Sequence, residues 1–301
     1  MLFYTDQLNR KIELASPPKR IISLVPSQTE LLYDLGLRDE VIGITKFCIH
    51  PTEWFRNKTR VGGTKKIDFE KIKQLQPDLI IGNKEENQKE QIEQLMKDYN
   101  VWMSDIYTLN DALNMITQVG TLVGKQKEST ILKLQIESRF NQFSTKINAH
   151  LERRFISNLK SNISYLTSHI SHLKTAYFIW QKPYMAAGGN TFINDMLTRC
   201  GFNNVFASTE FSRYPELSAS QIVAAKPELI LLSSEPYPFK EKHVQEFQNS
   251  CPDAKILIVD GELFSWYGSR LLQSPAYFEK ILMKCQMSNG RCKMVKSQSQ
   301  S

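Results

Sequence analysis

The sequence predicts an α/β protein of two lobes with parallel sheets, joined by a long backbone helix and leaving a ligand cleft between them. Three observations carry this prediction. Short apolar, β-branched runs alternate with segments of helical period, the pattern of parallel α/β layers. A shift of 150 residues lays Ile72, Pro77, Asp78, Leu79 and Ile80 on Ile222, Pro227, Glu228, Leu229 and Ile230. Between the two copies, apolar residues keep a helical spacing over a stretch much longer than a connecting loop.

In the first half the strand-like runs are residues 20–25, 41–45, 79–82 and 101–105. Ser27-Gln28-Thr29-Glu30 reads as a capping box, followed by Leu31, Leu32 and Leu35 with Gly36 as the stop. A helix therefore starts directly after the first strand, at the sheet edge where open α/β folds bind ligands. Each copy of the repeat reads as a short helix, a Pro that ends it, and a buried strand. Ala112, Met115, Ile116, Val119, Leu122 and Val123 keep helical spacing, and beyond Gly124 it resumes at Leu132, Ile136, Phe140, Phe143 and Ile147. Residues 125–147 make a helix about 34 Å long at 1.5 Å per residue, enough to cross both lobes and to restrict hinge motion. A further helical segment carries Leu151, Phe155, Leu159, Ile163, Leu166, Ile170 and Leu173 on one face.

The second half repeats the pattern with strands at 176–180, 229–233 and 255–260. Gly188-Gly189-Asn190 precedes Phe192, Ile193, Met196 and Leu197, with Gly201 as the stop, so Asn190 or Thr191 caps a helix whose amides also suit an anion. Gly62-Gly63-Thr64 lacks the Lys-Ser/Thr of a phosphate loop and reads as a turn. These features divide the chain into an N-terminal lobe (1–122), a backbone helix with a helical insertion (123–172), a C-terminal lobe (173–287) and a polar, disordered tail (288–301).

Composition narrows the function classes. Apolar residues make up 41% and charged residues 23% of 301, which excludes disordered and collagenous chains. The excess of 38 basic over 31 acidic residues is spread along the chain, so it reads as solubility and not as a nucleic-acid surface. Five widely spaced cysteines fit reduced thiols better than a disulfide framework. The first twenty residues carry Asp6, Arg10, Lys11 and Glu13 and no apolar core of a signal peptide, and no stretch is long enough to span a bilayer. As written, the sequence predicts a cytoplasmic chain.

The opening RIISLVPSQTELLYDLGL, followed by VIGITKFCIHP, VGGTKKIDFEKIKQLQPDLIIG, AAGGNTFINDML, LSASQIVAAKPELILL and SWYGSRLLQSPAYFEKIL, resembles the helical-backbone (class III) ABC-type periplasmic solute-binding proteins, and among them the vitamin B12 or corrinoid binders. The likeness runs from about Arg20 to Cys285. It implies a non-enzymatic, monomeric receptor for a small-molecule metal chelate (cobalamin, haem or a ferric siderophore), with no required cofactor and an ABC permease as partner, in a family that is normally periplasmic or on the cell surface. By this resemblance Phe47 matches an aromatic that contacts corrinoid, and Ser265 to Arg270 matches a Trp-containing cleft loop, making Trp266, Tyr267 and Arg270 ligand-binding. Glu70 matches a surface Glu that docks on the permease; its second-lobe counterpart falls near Ser220. Thr64 stands where the B12 binders have a cleft Trp, and residues 148–172 look inserted.

Physical chemistry agrees with these assignments, since a planar macrocycle buries its faces best on rigid aromatic rings and an Arg pairs with peripheral carboxylates, amides or phosphate. Trp180 and Tyr184 fall at the end of a strand and just beyond it, hence near the cleft. Lys84-Glu85-Glu86-Asn87 follows the third strand, either contacting cargo or opening a solvated helix. Cys48 and His50, two apart in a loop, project to one side if extended and suit a soft or borderline metal. They support the alternative of an intracellular metal- or metallocofactor-handling protein or enzyme, against the plain reading of a buried thiol and a loop-capping His.

Overall fold

The computed structural model describes residues 2–159 and 173–287. The chain opens with an antiparallel hairpin, β1 (Leu2–Thr5) and β2 (Lys11–Leu14), closed by Asp6, whose carboxylate accepts the Leu8 and Arg10 amides. The first lobe follows: β3 (Ile21–Ser23), α1 (Pro26–Asp34), β4 (Val41–Ile44), α2 (Thr52–Asn57), β5 (Thr59–Arg60), α3 (Phe69–Leu75), β6 (Leu79–Asn83), α4 (Lys89–Leu95), β7 (Val101–Ser104) and α5 (Leu109–Leu122). Its sheet is parallel throughout, in the order β5-β4-β3-β6-β7. The fully buried residues of β6, LIIGN, explain its central place.

A single helix, α6 (Gln126–Leu159), then leaves the lobe. It joins the expected 125–147 helix to the start of the further helical segment without a break; the rest of that segment, residues 160–172, lies outside the described residues, as does the tail from 288. The second lobe contains β8 (Lys174–Trp180), β9 (Tyr184–Ala186), α7 (Phe192–Arg199), β10 (Asn203–Asn204), β11 (Glu216–Leu217), α8 (Ala219–Ala224), β12 (Leu229–Ser233), α9 (Glu241–Ser250), β13 (Lys255–Val259), α10 (Glu262–Ser265), a 3-10 turn (Ser269–Leu272) and α11 (Ser274–Met287). Its central strands β8, β12 and β13 are parallel, and β9 and β11 add an antiparallel edge that the sequence reading did not contain.

The 150-residue repeat is structural. In both copies a carboxylate just before the buried strand pins the first backbone amides of its neighbour. Asp78 accepts from Lys19 and Arg20 at 2.7 and 3.0 Å, and Glu228 accepts from Lys174 at 2.9 Å. The capping box expected at Ser27 is not formed. Pro26 takes the first helical position, because its fixed φ and missing N–H suit that place, so Ser27 falls inside the first turn of α1 and Val25 becomes the cap residue. Thr191 is the residue that caps α7, accepting from the Asn194 amide at 3.1 Å.

The two lobes share one core. Phe140 and Phe143 of α6 meet Phe278 of α11, and Phe278 meets Phe264 of α10, inside an apolar cluster that also contains Ile22, Ile80 and Met115 of the first lobe. A second, smaller cluster around Phe178, Phe206 and Phe247 fills the far side of the second sheet. At the seam Gly268 lies so close to α1 that a Cβ on it would stand 2.4 Å from the Ser27 carbonyl oxygen; only glycine permits that approach.

Candidate functional site: the interlobe cleft

The carboxyl ends of β3, β4 and β6 face those of β8 and β12, and the gap between them is a cleft of about 1590 Å³. That exceeds the roughly 300–1,000 Å³ of a pocket for a drug-sized ligand, so the space suits a large ligand. Phe47 and Ile49 enter it from the loop after β4, and Trp180 from the end of β8. They are 50%, 45% and 40% exposed, an unusual state for such side chains in an ordered scaffold. Phe47 rests on Gly63, where a Cβ would come 3.0 Å from its ring, and Lys46 stands over that ring at 5.1 Å. The Gly62-Gly63 segment is a turn, as expected: Gly63 donates to the Lys66 carbonyl at 2.7 Å.

Trp266 and Tyr267 also line the cleft, from the segment after α10, but both are buried. The Trp266 indole donates to Glu235 at 2.8 Å, its ring carries the Arg270 guanidinium at 4.7 Å, and His50 meets it edge-on at 5.7 Å. Glu235 also accepts from the Ser265 hydroxyl at 2.9 Å. Burial, aided by the nearby carboxylates of Glu262 and Glu86 and opposed by these two donors, pushes the Glu235 carboxyl up to about 7.

Four expected site residues are placed elsewhere. Arg270 is not a lining residue: it binds Glu30 of α1 through two bonds of 2.9 and 2.6 Å and Glu262 at 2.7 Å, beside a hydrogen bond from Ser269 to Asp34. Its charge is consumed in joining the lobes. Tyr184 packs on Phe247 and Phe178 in the smaller core. Cys48 is fully buried, hydrogen-bonded to Thr29 and Thr45 at 3.1 Å each, and burial raises its thiol pKa, which disfavours the thiolate a metal requires. His50 instead faces Glu262 at 3.4 Å. Cys48 and His50 therefore do not converge, and the described residues hold no group of three His, Cys, Asp or Glu side chains arranged for a metal. Glu70 is exposed in the first turn of α3 at the cleft's mouth, and Ser220 takes the matching position in α8.

The structure adds residues that sequence reasoning had not singled out as a set. Glu85 and Glu86 follow β6 and Glu235 follows β12, with Glu85 and Glu235 again 150 positions apart, and all three line the cleft. The first pair sits in a turn, not a helix start. Asn83 accepts the Glu85 and Glu86 amides at 2.8 and 3.0 Å, Asn87 donates to the Thr64 carbonyl at 3.0 Å, and α4 begins only at Lys89. Arg213 of the second lobe reaches across to Glu85 at 2.9 Å. The repeat offset was the signal that could have found Glu235.

Comparison with known proteins agrees with this geometry. The periplasmic binding protein family model matches residues 21–253. A vitamin B12-binding protein of Vibrio campbellii is 26% identical over 222 residues, covering 72% of this chain and 71% of that one. The crystal structure of the periplasmic vitamin B12 binding protein of Vibrio cholerae aligns with a TM-score of 0.70 at 20% identity, over 90% of this chain and 98% of that one. A periplasmic haem binding protein from Pseudomonas aeruginosa gives 0.71 at 18%, over 88% and 92%. Two lobes, a spanning helix and an aromatic cleft at the strand ends are thus the architecture of a solute receptor, and this chain belongs to the periplasmic binding protein family.

Proposed function

We propose that the protein captures a large metal chelate, of the corrinoid, haem or ferric siderophore kind, between Phe47 and Ile49 of the first lobe and Trp180 of the second, for delivery to an ABC permease. The observation that carries this reading is the set of large apolar side chains left exposed inside an otherwise well-packed cleft of about 1590 Å³. A flat macrocycle would cover them and gain roughly 25 cal/mol for each Å² of apolar surface removed from water. A bare oxyanion or metal ion would leave most of the space empty. Trp266 and Tyr267 form the wall behind the ligand, and Arg270 holds that wall to α1 without touching the cargo. Glu70 is the residue we assign to docking on the permease, in a monomeric receptor.

Native mass spectrometry of the purified protein mixed in turn with hydroxocobalamin, haem and a ferric hydroxamate tests this. A one-to-one adduct with one of the three is expected, lost with Phe47→Ala combined with Trp180→Ala. Absence of saturable binding to all three would overturn the reading.

A further inference from the structure

Trp180 stands exposed at the end of β8, where the ladder with β9 does little to fix its pose. The register shifts between Phe178 and Trp180, an irregularity of the kind that re-aims a side chain. One residue of the loop after β12 holds this point instead. Tyr237 donates its backbone N–H to the Ile179 carbonyl at 3.3 Å, meets the Trp180 ring edge-on at 5.5 Å, and bonds the Gln181 side chain at 2.9 Å through its hydroxyl. It thus grips three successive residues.

The Tyr237 hydroxyl is itself the middle of a chain of hydrogen bonds whose direction is set from both ends. At one end the Lys240 N–H, which can only donate, points at His243 Nδ1 at 2.8 Å. At the other the Glu246 carboxylate, which only accepts, takes the Gln181 amide N–H at 2.5 Å. Gln181 Oε1 is therefore the acceptor for the Tyr237 hydroxyl, whose oxygen in turn accepts from His243 Nε2–H at 3.2 Å. Both ends demand the same neutral tautomer of His243, with Nδ1 bare. His243 and Gln181 are buried, so water competes little for these bonds.

We propose that Tyr237 and His243 are positioning residues for Trp180: the chain holds the indole in its cleft-facing pose, and protonation of His243 at Nδ1 breaks the chain and frees it. A proton on Nδ1 would set a donor against the Lys240 N–H, and the ring would have to leave its place at the cap of α9. Around His243, Tyr237 and Phe239 of the preceding loop present neutral rings at 5.4 Å each, and the end of β8 contributes the neutral Gln181 amide through Tyr237. The charged groups are Lys242 and Glu246 of α9 and Lys240 at the cap. Burial lowers the His243 pKa, Lys242 and Lys240 act in the same direction, and Glu246 opposes them. The device therefore works on the acid side of neutrality. The inference rests on the reading of Trp180 as a cargo contact and adds what sets its pose.

The test labels the full chain with 5-fluorotryptophan and follows the fluorine resonance of Trp180 without cargo, assigned through Trp180→Phe. Tyr237→Phe keeps the ring and removes the hydroxyl. It is expected to shift or broaden the Trp180 line, while the lines of Trp54 and Trp102, buried in the first lobe, stay in place and report an intact fold. In the parent the Trp180 line should move as pH falls from about 8 to 5. His243→Asn, whose amide oxygen can still accept the Lys240 N–H but does not titrate, should remove that movement. A Trp180 line indifferent to Tyr237→Phe, or an acid-induced movement that His243→Asn retains, overturns the proposal. Binding of hydroxocobalamin, haem and a ferric hydroxamate is then measured. For the one that binds, Tyr237→Phe is expected to weaken affinity about fivefold, and to have no further effect in a Trp180→Ala background. An equal loss in that background also sinks the positioning role. If none of the three binds, the receptor reading fails, and the fluorine lines alone decide whether Tyr237 and His243 set the pose of Trp180.

Discussion

Gln76 and Lys226, 150 positions apart, both hold left-handed backbone, with φ of +44° and +46°. Each stands just before the Pro that ends its copy of the repeated helix, at Pro77 and Pro227. A residue before Pro is disfavoured in the right-handed helical region, and here the chain leaves the helix through the left-handed one in both lobes.

Glycine reaches that conformation without the Cβ penalty. Gln76→Gly and Lys226→Gly each relieve a left-handed penalty of about 1–2 kcal/mol against a glycine entropy cost of about 0.5–1 kcal/mol, so each is expected to raise stability by about 0.5–1 kcal/mol, additively because the sites lie in separate lobes. Urea unfolding midpoints measure the effect, and a lowered midpoint in both variants would refute the account.

Arg270 is the link between the lobes whose loss should cost most. Its side chain is 12% exposed, and Glu30 and Glu262 are similarly covered at 15% and 16%. Burial already raises the Glu30 carboxyl pKa against the opposing pull of Arg270. Arg270→Ala leaves two covered carboxylates without their cation and is expected to cost about 3–5 kcal/mol. Arg270→Lys should recover only part of this, since one ammonium cannot reproduce the two-pronged contact with Glu30. A thermal scan in which Arg270→Ala melts with the parent would show that the shared core alone holds the seam.

Glu235 gives stability a defined pH dependence. Its carboxyl titrates near 7 in the folded protein, against about 4.5 when unfolded, so between those values the folded state holds more protons. Stability therefore falls as pH rises from about 4.5 to 7, and the loss is complete above it. Glu86, shifted in the same direction by burial, adds to the slope. Glu235→Gln keeps an acceptor for Ser265 and Trp266 and should flatten the curve, gaining about 1–2 kcal/mol at pH 8. Melting temperatures from pH 5 to 8 check this, and an unchanged slope in the variant would assign the dependence to other groups.

Much of the architecture was legible because it is written in runs. The apolar strands β3, β4, β6, β7, β8, β12 and β13 are continuous hydrophobic segments, and α6 carries its core face at regular intervals. The edge strands β9 and β11 were not, since two or three residues leave no period to read and their pairing depends on long-range register. In the cleft, Trp180 stands at the end of its strand, and Phe47, Trp266 and Tyr267 from the quoted motifs also line it. Arg270 does not, and this was not legible because its partner Glu30 is 240 positions away, and no local spacing announces an ion pair between lobes. Cys48 and His50 diverge for a comparable reason: the loop between them turns, carrying the thiol into the core and the imidazole toward Glu262.

The apolar core that runs unbroken from one lobe to the other has a kinetic consequence. A receptor that must open before loading pays for each encounter with the rarity of its open state; one with fused halves does not. Here the association rate should follow diffusion and orientation alone, with a single exponential phase proportional to cargo concentration. The same shared core is expected to resist opening of the cleft and so to slow departure. A dissociation time course of the loaded protein checks this, with slow single-exponential release as the expected outcome.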